Sequence, residues 1–196
     1  MSANGGITVD ISAEGLERIQ KVLAGVRGGW QKAVGSALKR AASSGKTEGK
    51  RAVVQEYAIS GGTFLSYTKN TNHFSSGGDG IEIVFGYAGA VIPLTKFKTS
   101  VKRGGLVTTL VRKDTGTAVL EHAFGATMGA HTGAHTGIFE RVGSERFPVR
   151  ELFGPSTPQM MYSNEAVLNE VKQKIVETYE RRIEHEILRL MNGWGG

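Results

Sequence analysis

A chain of 196 residues, 39% hydrophobic and 21% charged, has room for one domain spanning 1–196 with a core of modest size. It contains no cysteine, which excludes a disulfide framework, a thiolate zinc site and a cysteine nucleophile. A formal charge of +6 favours acidic or polyanionic partners, and 28 glycines, twice the usual share of roughly 7%, point to a chain rich in loops.

Ile7, Val9 and Ile11 alternate with Thr8 and Asp10, which predicts a short half-buried strand. Leu16, Ile19, Leu23 and Val26 then recur at helical spacing, giving a helix from Ser12, its candidate N-cap, to Val26, stopped by Gly28 and Gly29. A second helix is expected over Trp30–Ala58, with Trp30, Val34, Ala37, Leu38 and Ala41 on its apolar face. Its middle, from Ala41 to Gly49, carries almost no side-chain bulk, so either another backbone approaches there or the helix bends. Glycine inside a helix costs about 1 kcal/mol relative to alanine, so Gly45 and Gly49 require a packing reason or a break.

Residues 60–80, SGGTFLSYTKNTNHFSSGGDG, are turn formers throughout and read as a long flexible loop. Strands are expected at Ile81–Phe85, Val91–Phe97 and Leu106–Arg112, the last two forming a hairpin around the basic turn VKRGG, with Pro93 at a sheet edge or bulge. Two weaker strands, Ala118–Phe124 and Gly137–Val142, flank a second flexible loop at 125–137, which contains the tandem duplication Gly129–Thr132 and Gly133–Thr136. From Asn164 to Met191, Leu168, Val171, Ile175, Tyr179, Ile183, Ile187 and Leu190 trace one apolar stripe, predicting a C-terminal helix over 164–192 about 40 Å long. That exceeds what a small core covers, so part of the stripe is expected to meet another chain. The expected fold class is α+β: a small, mainly antiparallel sheet packed against long N- and C-terminal helices, with long Gly-rich loops.

Few residues suggest chemistry. His131 and His135 are four apart with His122 nearby, but glycine at every fourth place argues against a helix there, and no glutamate follows the first histidine as in a zinc-protease motif. The glycine runs SSGGDG and KRGG lack the Gly-Lys-Ser/Thr pattern of a phosphate loop, and no G-x-S-x-G elbow occurs. The expectation is therefore no enzyme, no cofactor and no metal. Lys39, Arg40, Lys46, Lys50 and Arg51 make the second helix basic, and Lys96, Lys98, Lys102, Arg103, Arg112 and Lys113 do so for the hairpin; each patch is a solvated face, or is attracted to an acidic ring surface or to DNA passing through a channel, the latter contact insensitive to sequence. No run approaches the roughly 20 apolar residues that span a bilayer, and MSANGGITVDIS has neither a basic nor an apolar leader region, so a soluble protein without a membrane partner is expected.

The most distinctive stretch is Ile138–Met161, IFERVGSERFPVRELFGPSTPQMM, a strand and polar turn followed by a Gly-Pro-Ser-Thr-Pro segment that suits neither regular helix nor central strand. Arg141, Arg146 and Arg150 stand among Glu140, Glu145 and Glu151, suited to local pairing or to contacts across a subunit boundary. With ALKRAASSGKTEGKRAV in the second helix, F-E-R-x-G at Phe139–Gly143, P-V-R-E-L-F-G-P-S at Pro148–Ser156 and Pro158-Gln159-Met160, the chain resembles the minor tail protein Z family of lambda-like phages, also described as tail-completion proteins. The likeness runs from about residue 12 to the C-terminus. It implies a structural virion protein, assembled in the host cytoplasm, that finishes the head-proximal end of a tail or the head–tail junction. It also implies a ring of copies, six by tail symmetry, docked on tail terminator, tail tube or head–tail connector proteins, with no catalytic residue. Candidate interface residues on that basis are Arg141, Arg150, Glu151, Leu152, Phe153, Pro155, Ile183 and Ile187.

Overall fold

A computed structural model describes residues 6–77, 80–129 and 133–193. The chain runs β1 (Gly6–Ser12), α1 (Ala13–Val22), α2 (Gly29–Glu56), α3 (Gly61–Ser66), β2 (Lys69–Gly77), β3 (Gly80–Ala88), β4 (Val91–Pro93), a 3-10 turn (Leu94–Lys96), β5 (Lys98–Val101), β6 (Val107–Leu110), β7 (Ala118–Leu120), β8 (Ala123–Met128), β9 (His135–Arg141), β10 (Val149–Glu151), β11 (Phe153–Ser156), α4 (Thr157–Tyr162) and α5 (Glu165–Met191). The fold is α+β, and among the described residues its antiparallel strands are divided among four small sheets. No helix among the described residues is long and apolar enough to cross a membrane.

The residues group into two compact units, each drawn from separated segments. The first contains residues 1–49, 69–88 and 161–196. Its sheet has the order β1-β3-β2, with Ile7 opposite Phe85 on one side of β3 and Lys69 opposite Ala88 on the other. α1 ends at Val22 rather than Val26, because the chain turns through Gly28, whose φ of 65° only glycine adopts freely, before α2 begins. α2 continues unbroken past its glycines, and side chains rather than another backbone approach them. A Cβ at Gly45 would stand 2.5 Å from Ile175 Cγ1, and one at Gly49 would stand 2.8 Å from Met161 Cε, so the missing side chains are the seats of Ile175 and Met161. The hydroxyl of Thr178 donates to Ser44 Oγ at 3.0 Å along the same seam. Leu38, Met161, Val167, Val171 and Ile175 are fully buried there. α5 starts where the sequence predicts, with Asn164 Oδ1 accepting from the backbone N–H of Ala166 and Val167 at 3.1 and 3.4 Å. Asn164→Ala is expected to lower stability by about 1 kcal/mol in urea unfolding; an unchanged midpoint would show that these cap bonds contribute nothing.

The second unit contains residues 50–68 and 89–160. Its core gathers Val53, Phe64, Ile92, Val107, Ile138 and Met160. The segment after α2 is stitched in by backbone bonds, with Ala58 N–H donating to Val111 O at 2.9 Å and Lys98 N–H to Ala58 O at 3.1 Å. The expected hairpin around VKRGG is present, but its first strand is β5; the Val91–Phe97 run is a strand only as far as Pro93, then a 3-10 turn. Pro93 lies in a two-stranded sheet, opposite Phe153, where its lack of an N–H is tolerated.

The described residues of two expected loops form regular secondary structure instead. Residues 60–80 begin with α3, capped by Ser60 Oγ accepting from Thr63 N–H at 3.1 Å and anchored by the buried Phe64, and continue as β2 along β3. Around the expected loop 125–137, β8 pairs with β9 from Ala123 opposite Glu140 to Met128 opposite His135, with the hydroxyls of Thr127 and Thr136 bonded across the pair at 2.8 Å; residues 130–132, within the tandem duplication, lie outside the described residues. Backbone pairing rather than an apolar pattern makes these strands. Ala118–Phe124 breaks at Glu121 and His122 into β7 and β8.

Candidate assembly surfaces

The distinctive segment Ile138–Met161 folds as β9, β10, β11 and α4, all antiparallel where strands pair, and most of its charged residues are satisfied locally. Arg150 stands opposite Glu140 and forms an ion pair with it. Glu151 bonds His135 Nε2 at 2.7 Å. Arg141 donates to the Arg146 carbonyl at 2.7 Å and lies 5.4 Å from the centre of the Phe124 ring. Leu152 is half-buried and tied by its backbone N–H to Ile138 O at 2.8 Å. The Gly154-Pro155 pair has a packing cause: the Phe97 ring lies where a Cβ of Gly154 would be, and Pro155 falls at the register shift of β11.

Thr157-Pro158, which looks incompatible with a helix, occupies the first turn of α4, where no amide donor is required. Ser156 N–H donates to Gln159 Oε1 at 2.8 Å, and Gln159 N–H donates to Ser156 Oγ at 3.4 Å. This reciprocal capping box is written as Ser-x-x-Gln and was readable in the sequence. Three large apolar side chains are also outward, among exposed polar neighbours such as Ser144, Glu145 and Arg146: Val142 is 60%, Phe147 61% and Phe153 46% exposed. Of the eight interface candidates, Phe153 is exposed as a large apolar group, and Arg141, Arg150 and Glu151 make local bonds, the two arginines remaining exposed; Val142 and Phe147 are exposed too but sit in a polar turn without the periodicity that would single them out.

Ile183 and Ile187 belong to the first unit and line an open groove of about 660 Å³ between α1 and the second half of α5. Ile19, Val22 and Leu188 complete its apolar lining, and Arg18, on α1, with Glu180 and Glu184, on α5, provide its charge. Leu188 is 61% exposed, so α5 carries more apolar surface than its own unit covers. Tyr179 also lines the groove, and its hydroxyl is buried with no hydrogen-bond partner among the described residues; burial pushes this phenol up to about 12. Farther along α5 the buried Glu186 is pushed up by desolvation, but hydrogen bonds from Ser36 and Arg189 outweigh this and hold it below the usual carboxylate range.

The basic candidates fall in both units. Lys39 and Arg40 are exposed and Lys46 half-buried in the first unit, whereas Lys50 and Arg51 belong to the second, where the Lys50 stem lies beside Gly61. Lys102 and Arg103 are exposed at the β5–β6 turn, which closes through Gly104 and Gly105 at positive φ. At the other end of the hairpin Arg112 is engaged by Asp114 at 2.6 Å, and Lys113 by the Val54 carbonyl at 2.7 Å. Among the described residues no cluster of His, Cys, Asp and Glu could hold a metal ion. His131 lies outside the described residues, and His122 is exposed in the turn before β8.

No protein-family model, no curated protein and no solved structure matches the chain.

Proposed function

We propose that the chain is a non-catalytic structural subunit of a tailed-phage virion that completes the head-proximal end of the tail or the head–tail junction. Copies form a ring, six where tail symmetry sets the number, which docks on tail terminator, tail tube or head–tail connector proteins. The observation that carries this reading is the outward position of Val142, Phe147 and Phe153 within the segment that resembles tail-completion proteins. A solitary chain leaves these groups in water, whereas a neighbour that covers a large apolar side chain contributes on the order of 1–2 kcal/mol for each.

The test is genetic and biochemical. Deleting the gene from its parent genome should leave particles with unjoined or non-infectious tails, and Phe147→Ser with Phe153→Ser should fold normally yet fail to enter particles. Normal infectious particles from the deletion would remove the role. A second reading, contact with DNA phosphates, is favoured by the exposure of Lys102 and Arg103. It requires that DNA retention by the purified chain fall steeply with salt.

A further inference from the structure

We infer that the groove between α1 and α5 is closed by the same groove of a second copy, with a two-fold axis running along it. This goes beyond the tail reading and does not depend on it. The groove has an apolar floor and a charged rim, the usual anatomy of a protein interface. Its two walls carry opposite charge: Arg18 on α1 faces Glu180 and Glu184 on α5. Among the described residues none of these three has an ion-pair partner. A partner of uniform charge, such as DNA or an acidic protein face, would suit one wall and be repelled by the other.

A rotated copy suits both walls. Rotation about an axis along the groove lays α1 of each copy over α5 of the other, so the wall with Arg18 and Val22 meets the wall with Glu180, Glu184 and Leu188 twice. An axis across the groove would instead stack α1 on α1 and set Arg18 against Arg18. A two-fold contact is self-complementary and closes on itself. It therefore joins pairs, and the ring proposed above uses other surfaces, such as that of Phe147 and Phe153.

The experiment uses the full chain. Sedimentation and native mass spectrometry should show a dimer at tens of micromolar. Leu188→Arg, at an exposed position where the fold has little at stake, should weaken it at least about tenfold, as a charge forced into an apolar contact does. Arg18→Glu should weaken it too, and adding Glu180→Arg and Glu184→Arg should restore it. Because the chain has no cysteine of its own, orientation is read separately by mixing Val22→Cys and Leu188→Cys chains, each checked for native circular dichroism. The mixed disulfide should exceed either homodimer. A chain that stays monomeric at about 100 µM, a dimer indifferent to Leu188→Arg and the charge exchange, or a predominance of Val22→Cys homodimers would each overturn the inference. Particle assembly in the deletion test is a separate readout, so the tail reading stands or falls on its own.

Discussion

Ile175→Ala is expected to destabilise the chain by about 2–5 kcal/mol, and Gly45→Ala, harmful alone, is expected to return part of that loss when the two are combined. Ile175 is fully buried, and its Cγ1 and Cδ1 lie 2.5 and 2.7 Å from where a Gly45 Cβ would stand. Alone, Gly45→Ala gains about 1 kcal/mol of helix propensity but forces a buried branched side chain to move, an overpacking cost of about 1–3 kcal/mol. The net is a loss of about 1 kcal/mol. Once Ile175 is truncated the added methyl enters the vacated space, and the same substitution becomes favourable. Urea unfolding of the four proteins should therefore give a coupling of at least about 1 kcal/mol. Gly35→Ala is the internal control: it lies in the same helix with nothing within 4 Å of its Cβ position, so it should stabilise by about 0.5–1 kcal/mol. Additive effects of Gly45→Ala and Ile175→Ala would mean that α5 does not seat on α2 at this point.

This seam shows which parts of the fold the sequence makes legible. The α5 stripe repeats every three to four residues for 27 residues, and the pattern persists because every turn has something to bury or to offer. The small residues of α2 are equally visible, but a sequence does not say whether backbone or side chain fills the space they leave, and here it is Ile175 and Met161. β2, KNTNHFSSG, is illegible for a different reason. It is an edge strand beside β3, held by backbone pairing, and has no apolar alternation to announce it. α3 is short enough that one cap, Ser60, and one buried ring, Phe64, suffice.

The candidate surfaces divide in the same way. Ile183 and Ile187 could be picked out because they extend a periodic stripe beyond what a small core covers. The groove itself needed α1 placed against α5, a tertiary fact with no local sequence signal. In Ile138–Met161 the alternating Arg and Glu residues suggested either an interface or local pairing. The antiparallel register sets Arg150 beside Glu140 and so realises pairing within the sheet, while Val142, Phe147 and Phe153 are exposed on the same segment.

Tyr179 gives the second large effect, and it depends on pH. An unfolded phenol loses its proton near 10, whereas burial holds the Tyr179 proton to about 12, because the phenolate would be stripped of water. The folded state therefore binds the proton more tightly. Its contribution is fully present below pH 10 and is lost as pH rises towards 12, by on the order of 2–3 kcal/mol. Tyr87 is displaced in the same direction by burial and by the neighbouring Tyr162, so the wild-type chain should lose urea resistance steeply above pH 10. Tyr179→Phe removes one share of that slope and should move the alkaline unfolding midpoint upward. At pH 7 the same substitution deletes a buried hydroxyl that has no hydrogen-bond partner among the described residues, so stability should be unchanged or rise by about 1 kcal/mol. A loss of more than about 1 kcal/mol at pH 7 would show that the hydroxyl is bonded after all, and an unaltered alkaline slope would show that this phenol ionises in the folded chain as freely as in the unfolded one.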